Sequence, residues 1–171
     1  MREKKGLLIQ DVEQAKPVCR KGTQWTVFSD DGSIRHCIGC FGCWLKTPGK
    51  CVIRDAYGDM GACLAQSDEV VLVSRCCFGG PSPFIKNVLD RCIPYIHPYF
   101  VNRNGEMHHR QRYQRTFNLT VVFYGERLTE RERRTARGWV QAMSVNLCCN
   151  VKQVLFKEQP PEWEGLLRTL Y

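Results

Sequence analysis

An open, doubly wound α/β sheet of five parallel strands is the fold class that this 171-residue sequence predicts, and three observations carry the prediction. Five short apolar runs recur along the chain with helix-length stretches between them, the alternation that builds a parallel sheet. Two of those runs, Glu69 to Ser74 (EVVLVS) and Phe117 to Tyr124 (FNLTVVFY), are almost unbroken in apolar residues, as strands buried on both faces are. Helix start signals also fall where crossovers are needed. Pro83 opens one helix at its first turn, and Thr129-Glu-Arg-Glu132 reads as a capping box.

Taken in order, the first strand is Leu7 to Gln10 and the second Trp25 to Ser29 (WTVFS). Only Asp11 to Gln24 lie between them, which leaves little room for a helix and two loops, so the first crossover reads as truncated. A cysteine-rich loop, 36–54, follows, and then a helix from Ala56 to Gln66. The third strand runs from Glu69 to Ser74, and the Pro83 helix ends at Cys92. An irregular insertion, 93–115, holds His97, His108 and His109 among Tyr95, Tyr99 and Phe100. The fourth strand is Phe117 to Tyr124, the capped helix reaches about Leu147, and the fifth strand is Val151 to Phe156. A final amphipathic helix is expected from Pro161 to Leu170, and the whole chain, 1–171, reads as one domain.

The formal charge of +8 raises the question of a nucleic-acid partner. Its distribution argues against one. Arg127, Arg131, Arg133, Arg134 and Arg137 alternate with Glu126, Glu130 and Glu132 on one helix, the pattern of a solvated face with local ion pairs. Arg103, Arg110, Arg112 and Arg115 sit in the irregular insertion without a nucleic-acid motif, so phosphate-bearing small molecules suit them better. No apolar run approaches membrane-span length and the first residues lack a secretory pattern, so a soluble, cytoplasmic protein without a membrane partner is expected. Its 11 cysteines then read as reduced thiols. Cys19, Cys63, Cys92, Cys148 and Cys149, with apolar or helical neighbours, read as small buried hydrophobes.

Cys37, Cys40, Cys43 and Cys51 differ, because their C-x2-C-x2-C-x7-C spacing packs soft ligands into one short loop. Gly39 and Gly42 let the backbone curl, and Pro48-Gly49 turns Cys51 back toward the other three. Bacterial 4Fe-4S ferredoxins use a similar compact run. Zinc is the competing occupant, although its sites more often pair two knuckles across a longer loop, and metal-free loop cysteines are the third reading.

With the cysteine run after the second strand, a Ser-x-x-x-Phe-Gly-Gly-Pro-Ser-Pro loop after the third and Phe84-Ile-Lys86-Asn-Val-Leu-Asp90-Arg91 beyond it, the chain resembles the flavodoxin-like NAD(P)H-dependent FMN reductases, above all the iron–sulfur flavoproteins. The resemblance covers roughly residues 25 to 157. It implies FMN at the carboxyl ends of the first and third strands, with the flavin loop at Ser74, Cys77, Phe78, Gly79 and Gly80. It also implies a 4Fe-4S cluster on Cys37, Cys40, Cys43 and Cys51, and NAD(P)H as substrate. Two places depart from the pattern. Asp11-Val-Glu13 stands where the family wraps the FMN phosphate, and Ser74-Arg75-Cys76-Cys77 replaces Ser-Pro-x-Tyr, exchanging a stacking ring for a cation at Arg75 that would answer a phosphate or a reduced flavin.

The sequence singles out no catalytic residue. It leaves three functional readings: a flavin-dependent oxidoreductase or electron carrier using nicotinamide and flavin nucleotides, a flavodoxin-like domain that has lost FMN and serves as a binding or regulatory partner, and a zinc-knuckle module. A homo-oligomer, dimer or tetramer, is expected through Ile93 to Tyr113, helped by an apolar sheet face that the short first crossover would leave uncovered.

Overall fold

Strand residues alternate between two apolar layers, and that alternation fixes the sheet. The computed structural model describes residues 3–12, 23–162 and 165. Its main sheet has five strands, β1 (Lys4–Gln10), β2 (Thr23–Ser29), β3 (Glu69–Arg75), β6 (Asn118–Tyr124) and β7 (Asn150–Lys157), all parallel in the order β2-β1-β3-β6-β7. This is the flavodoxin-like order, and its switch point lies between β1 and β3. The register pairs Leu8 with Val71 and Val71 with Thr120, and a bulge between Leu119 and Thr120 shifts β7.

On one face Leu7, Ile9, Val70, Leu72, Leu119, Val121 and Phe123 share a core with the helices α2 (Met60–Gln66), α3 (Pro83–Arg91) and α4 (Glu130–Leu147). Met60 and Leu64, Ile85 and Val88, and Ala136 and Val140 are among the buried residues each helix brings. On the other face Leu8, Trp25, Val71, Val73 and Val122 form a second buried cluster. The uncovered sheet face expected from the sequence is therefore not found: these five residues are buried. The truncation of the first crossover and most of the helix expected from Pro161 to Leu170 lie outside the described residues.

Two elements differ from expectation. Residues 93–115 are not irregular: after a 3-10 turn at Ile93–Tyr95, β4 (Ile96–Arg103) and β5 (Glu106–Gln111) form an antiparallel hairpin. Asn104 and Gly105 sit at its tip with φ of 52° and 85°, the left-handed pair that a two-residue hairpin turn requires. The helix expected from Ala56 begins only at Met60, because Asp55 and Gly58 close a turn whose Gly58 carbonyl accepts from Cys51 N at 2.9 Å. On α4 the capping box is present as read, with Thr129 and Glu132 satisfying each other's backbone N–H groups. Arg133 and Arg137 of this helix lie over the Phe156 ring at 5.1 and 4.9 Å, so part of its basic face covers β7. Among the described residues no helix is long and apolar enough to cross a membrane.

Candidate functional site

The carboxyl end of β3 leads directly into the loop singled out in the sequence. Ser74, buried at the strand end, accepts from Ser82 N through its Oγ at 2.8 Å, and Ser82 in turn caps α3 by accepting from Ile85 N. Between these two serines Cys77 and Gly80 exchange N–H···O bonds of 2.9 Å each, closing a two-residue turn over Phe78 and Gly79. Both turn residues are left-handed, Phe78 at φ 53° and Gly79 at 85°. A left-handed phenylalanine is strained, and this one carries its ring into solvent at 94% exposure. Gly79 cannot be replaced cheaply, since a Cβ there would stand 2.7 Å from Thr135 Cβ and 3.0 Å from the Glu132 carbonyl, so the turn is wedged against the start of α4. Cys76 beside it is buried, and burial pushes its thiol pKa up.

Asp11 stands at the adjoining end of β1. Its Oδ2 accepts from Arg75 N at 2.8 Å, while its buried Oδ1 has no hydrogen-bond partner among the described residues. Burial, with the Asp11 charge second, holds the Tyr124 phenol well above its usual range. The arrangement suits the two ends of a flavin nucleotide differently. An exposed ring and two glycines offer a planar ligand an open edge, whereas the Asp11 carboxylate is a poor neighbour for a phosphate.

The cysteine loop leaves β2 and is shaped by its glycines. Gly39 is left-handed at φ 64°, and Phe41 at 55° precedes a one-turn helix, α1 (Gly42–Leu45), that the sequence did not suggest. Gly49, at φ 93°, returns the chain, with its N–H bonded to Cys43 O at 3.1 Å. As a result Cys37, Cys40, Cys43 and Cys51 line one small cavity, bounded below by Asp90 and Arg91 of α3. Burial, followed by the charges of Cys51, Cys37 and Cys40, raises the pKa of Cys43. Every described cysteine is a free thiol. The four thiols surround the cavity without closing to coordination geometry: among the described residues no three His, Cys, Asp or Glu side chains stand together as a metal site. Soft thiols without a disulfide on a shared cavity nevertheless match the donor set of an iron–sulfur cluster.

Sequence reasoning missed the polar core beneath this loop. Arg91, 1% exposed, makes a two-pronged ion pair with Asp55, Nη1 to Oδ2 and Nη2 to Oδ1 at 2.7 Å each. Hydrogen bonding to Arg91 is the main cause that lowers the Asp55 pKa to about 2. A buried Arg immediately after an exposed Lys86–Asp90 pair was the available signal, since helix periodicity turns residue 91 inward. The histidines are not gathered on an ion: His109 lies between Trp44 and Phe100 at ring distances of 5.0 and 4.9 Å, and His108 bonds Asn146 and Glu106. These rings join the cysteine loop to the hairpin. Cys37 also opens onto a groove of about 610 Å³ walled by Leu89, Ile93, Trp139 and Met143.

No family model matches the chain. Over 64 residues it is 34% identical to an iron–sulfur flavoprotein of Archaeoglobus fulgidus, a match covering 37% of this chain and 28% of that protein. Over 64 residues it is 36% identical to an iron–sulfur flavoprotein of Methanocaldococcus jannaschii, covering 37% and 32%. The matched stretch is thus about a third of the length of either relative. In three dimensions the chain is similar to an azoreductase of Bacillus anthracis str. Sterne, with a TM-score of 0.58 at 9% identity over 97% of this chain and 90% of that one. That likeness confirms the flavodoxin-like fold.

Proposed function

We propose that this chain belongs with the flavodoxin-like iron–sulfur flavoproteins and is a flavin-dependent oxidoreductase or electron carrier that holds FMN beside the β3–α3 turn and a 4Fe-4S cluster on Cys37, Cys40, Cys43 and Cys51. The observation that carries the reading is the gathering of four free thiols on one cavity in a loop from the carboxyl end of a flavodoxin-ordered sheet. The partial matches to iron–sulfur flavoproteins support it. When bound, these groups would supply two-electron exchange with a nicotinamide nucleotide and one-electron exchange with an acceptor.

The chain's own residues have separable roles in this reading. Phe78 would offer its exposed ring to the flavin, and Gly79 and Gly80 would let the backbone approach it. Ser74 and Ser82 fix the turn from beneath. Arg75, exposed and bonded through its backbone N–H to Asp11, would offset that charge toward the phosphate. The four cysteines hold the cluster, and the aromatic rings from Trp44 to Phe100 shield it on the hairpin side. A homo-oligomer through the hairpin would cover Tyr99, Phe100 and Met107, which are exposed in one chain.

Asp11 makes a second reading specific: a domain that has given up tight FMN binding and acts as a binding partner. FMN titration separates the two. The flavoprotein reading predicts saturable binding on the order of micromolar, weaker than a complete phosphate loop would give. It also predicts weaker binding in Arg75→Ala and tighter binding in Asp11→Ser. Absence of any FMN binding by the wild type and by Asp11→Ser would leave the binding-partner reading.

A further inference from the structure

We propose that Arg91 is the positioning residue of the cysteine centre: its buried guanidinium joins the two ends of the cysteine run and thereby sets the spacing of the four thiols. The inference deepens the reading above and rests on it for what the thiols hold. Its geometry stands by itself. Arg35 precedes Cys37 by two residues and Ile53 follows Cys51 by two. Arg91 donates from Nη1 to the Arg35 carbonyl at 2.7 Å and from Nη2 to the Ile53 carbonyl at 3.4 Å. The Asp55 carboxylate that meets both terminal nitrogens also accepts from Arg35 N at 3.1 Å. One ion pair therefore closes the loop at its base.

Arg91 is in turn fixed to the protein's core. It is the last residue of α3, whose Ile85 and Val88 are fully buried against the sheet. Arg91 thus ties both ends of the cysteine run to that core, while Trp44 ties its middle to the hairpin by donating to the Ile96 carbonyl at 3.0 Å. The remaining donor of Arg91, Nε, has no hydrogen-bond partner among the described residues, and Cys51 lies against the guanidinium. Arg91 also forms part of the wall of the thiol-lined cavity. Only arginine can meet a carboxylate through a planar fork and still reach two carbonyls; a lysine in its place keeps the charge and loses the geometry. A buried ion pair is weak support for stability and is better explained here by the arrangement it enforces.

The test uses Arg91→Lys and Asp55→Asn, with Val88→Ala as a control that loosens the same helix without touching the clamp. In protein prepared without iron, a trivalent arsenical that bridges neighbouring thiols is added, and the bridged cysteines are identified by mass spectrometry. Amide exchange of residues 36–54 is followed in parallel. Wild type should bridge within Cys37, Cys40, Cys43 and Cys51. Both clamp variants should bridge roughly tenfold more slowly and exchange their loop amides faster, a loss of the size expected when hydrogen bonds to a charged group are removed. The amides of β3 and β6 should stay protected. Val88→Ala should lower global stability and leave bridging unchanged. Asp55→Asn decides the matter if Arg91→Lys does not fold. Wild-type bridging rates in Asp55→Asn, or equal slowing in Val88→Ala, would overturn the proposal. Separately, anaerobic reconstitution with ferrous iron and sulfide follows iron uptake. A wild type that takes up no iron while the clamp variants alone lose bridging keeps the positioning role and removes the iron–sulfur reading.

Discussion

The sheet and the cysteine loop are held in different ways. In the sheet, Leu8, Ile9, Leu72, Val122 and Phe123 are each sealed from water, and no single one sets the strand order. In the loop, Cys37, Ile38, Cys40 and Phe41 are exposed, and order comes from glycine turns, the Trp44 contacts to the hairpin and one charged pair at the base. Burial is redundant and tolerates loss by degrees, whereas a buried ion pair fails at once when one partner is removed. The candidate site spans the junction. Its flavin-side turn belongs to the sheet, and its thiols depend on Arg91.

The comparison breaks most severely at Arg91. Arg91→Met should cost about 3–5 kcal/mol in denaturant unfolding, because Asp55 is left as an uncompensated buried charge. The double variant Arg91→Met/Asp55→Leu should recover most of that loss while leaving the cysteine loop unordered by amide exchange. Leu72→Ala removes a core side chain that is 1% exposed and should cost about 2–5 kcal/mol. There the loop amides should loosen only in step with global unfolding.

Acid separates the two regions without mutation. Hydrogen bonding to Arg91 holds the Asp55 carboxyl down at about 2 in the folded chain, below the ordinary aspartate value of 3.8, so the pair's contribution is fully present above about pH 4 and is lost as pH falls toward 2. That window should remove roughly 2 kcal/mol of stability. Asp55→Asn should be less stable than wild type at neutral pH and should lack this component of the acid loss. The smallest effect is expected at the start of α4. Thr129→Ala, which removes the cap of α4, should cost about 1 kcal/mol and leave the loop unchanged.

The same contrast explains what the sequence made legible. The five strands, the burial of β3 and β6 on both faces, and the start of α4 could be read because apolar periodicity and capping are local signals; the order of the strands in the sheet was implied only by the family resemblance. That Cys37, Cys40, Cys43 and Cys51 share one loop was legible in their spacing and the glycines between them, and in the structure all four line one cavity although no three of them stand together as a metal site among the described residues. The hairpin was not read, although Asn104-Gly105 marks its turn, because the histidines and arginines around it mask the alternation of a strand. The Arg91–Asp55 pair was illegible for another reason: its partners are 36 residues apart and meet only once the fold exists. Asp11 was visible as an acidic residue where an anion site is usual, but its bond to the Arg75 N–H depends on the β1–β3 pairing.

The proposed redox centre on the four cysteines beside a flavin site is tested most directly by the iron, acid-labile sulfide and flavin content of anaerobically purified protein, read with its visible spectrum. About four iron and four sulfide per chain are expected, with a broad brown absorption. FMN should be present below one equivalent and rise on titration. Iron and sulfide should disappear in Cys43→Ser, whose thiol is the buried member of the set. Zinc in place of iron, or neither metal after reconstitution with iron and sulfide, would contradict it.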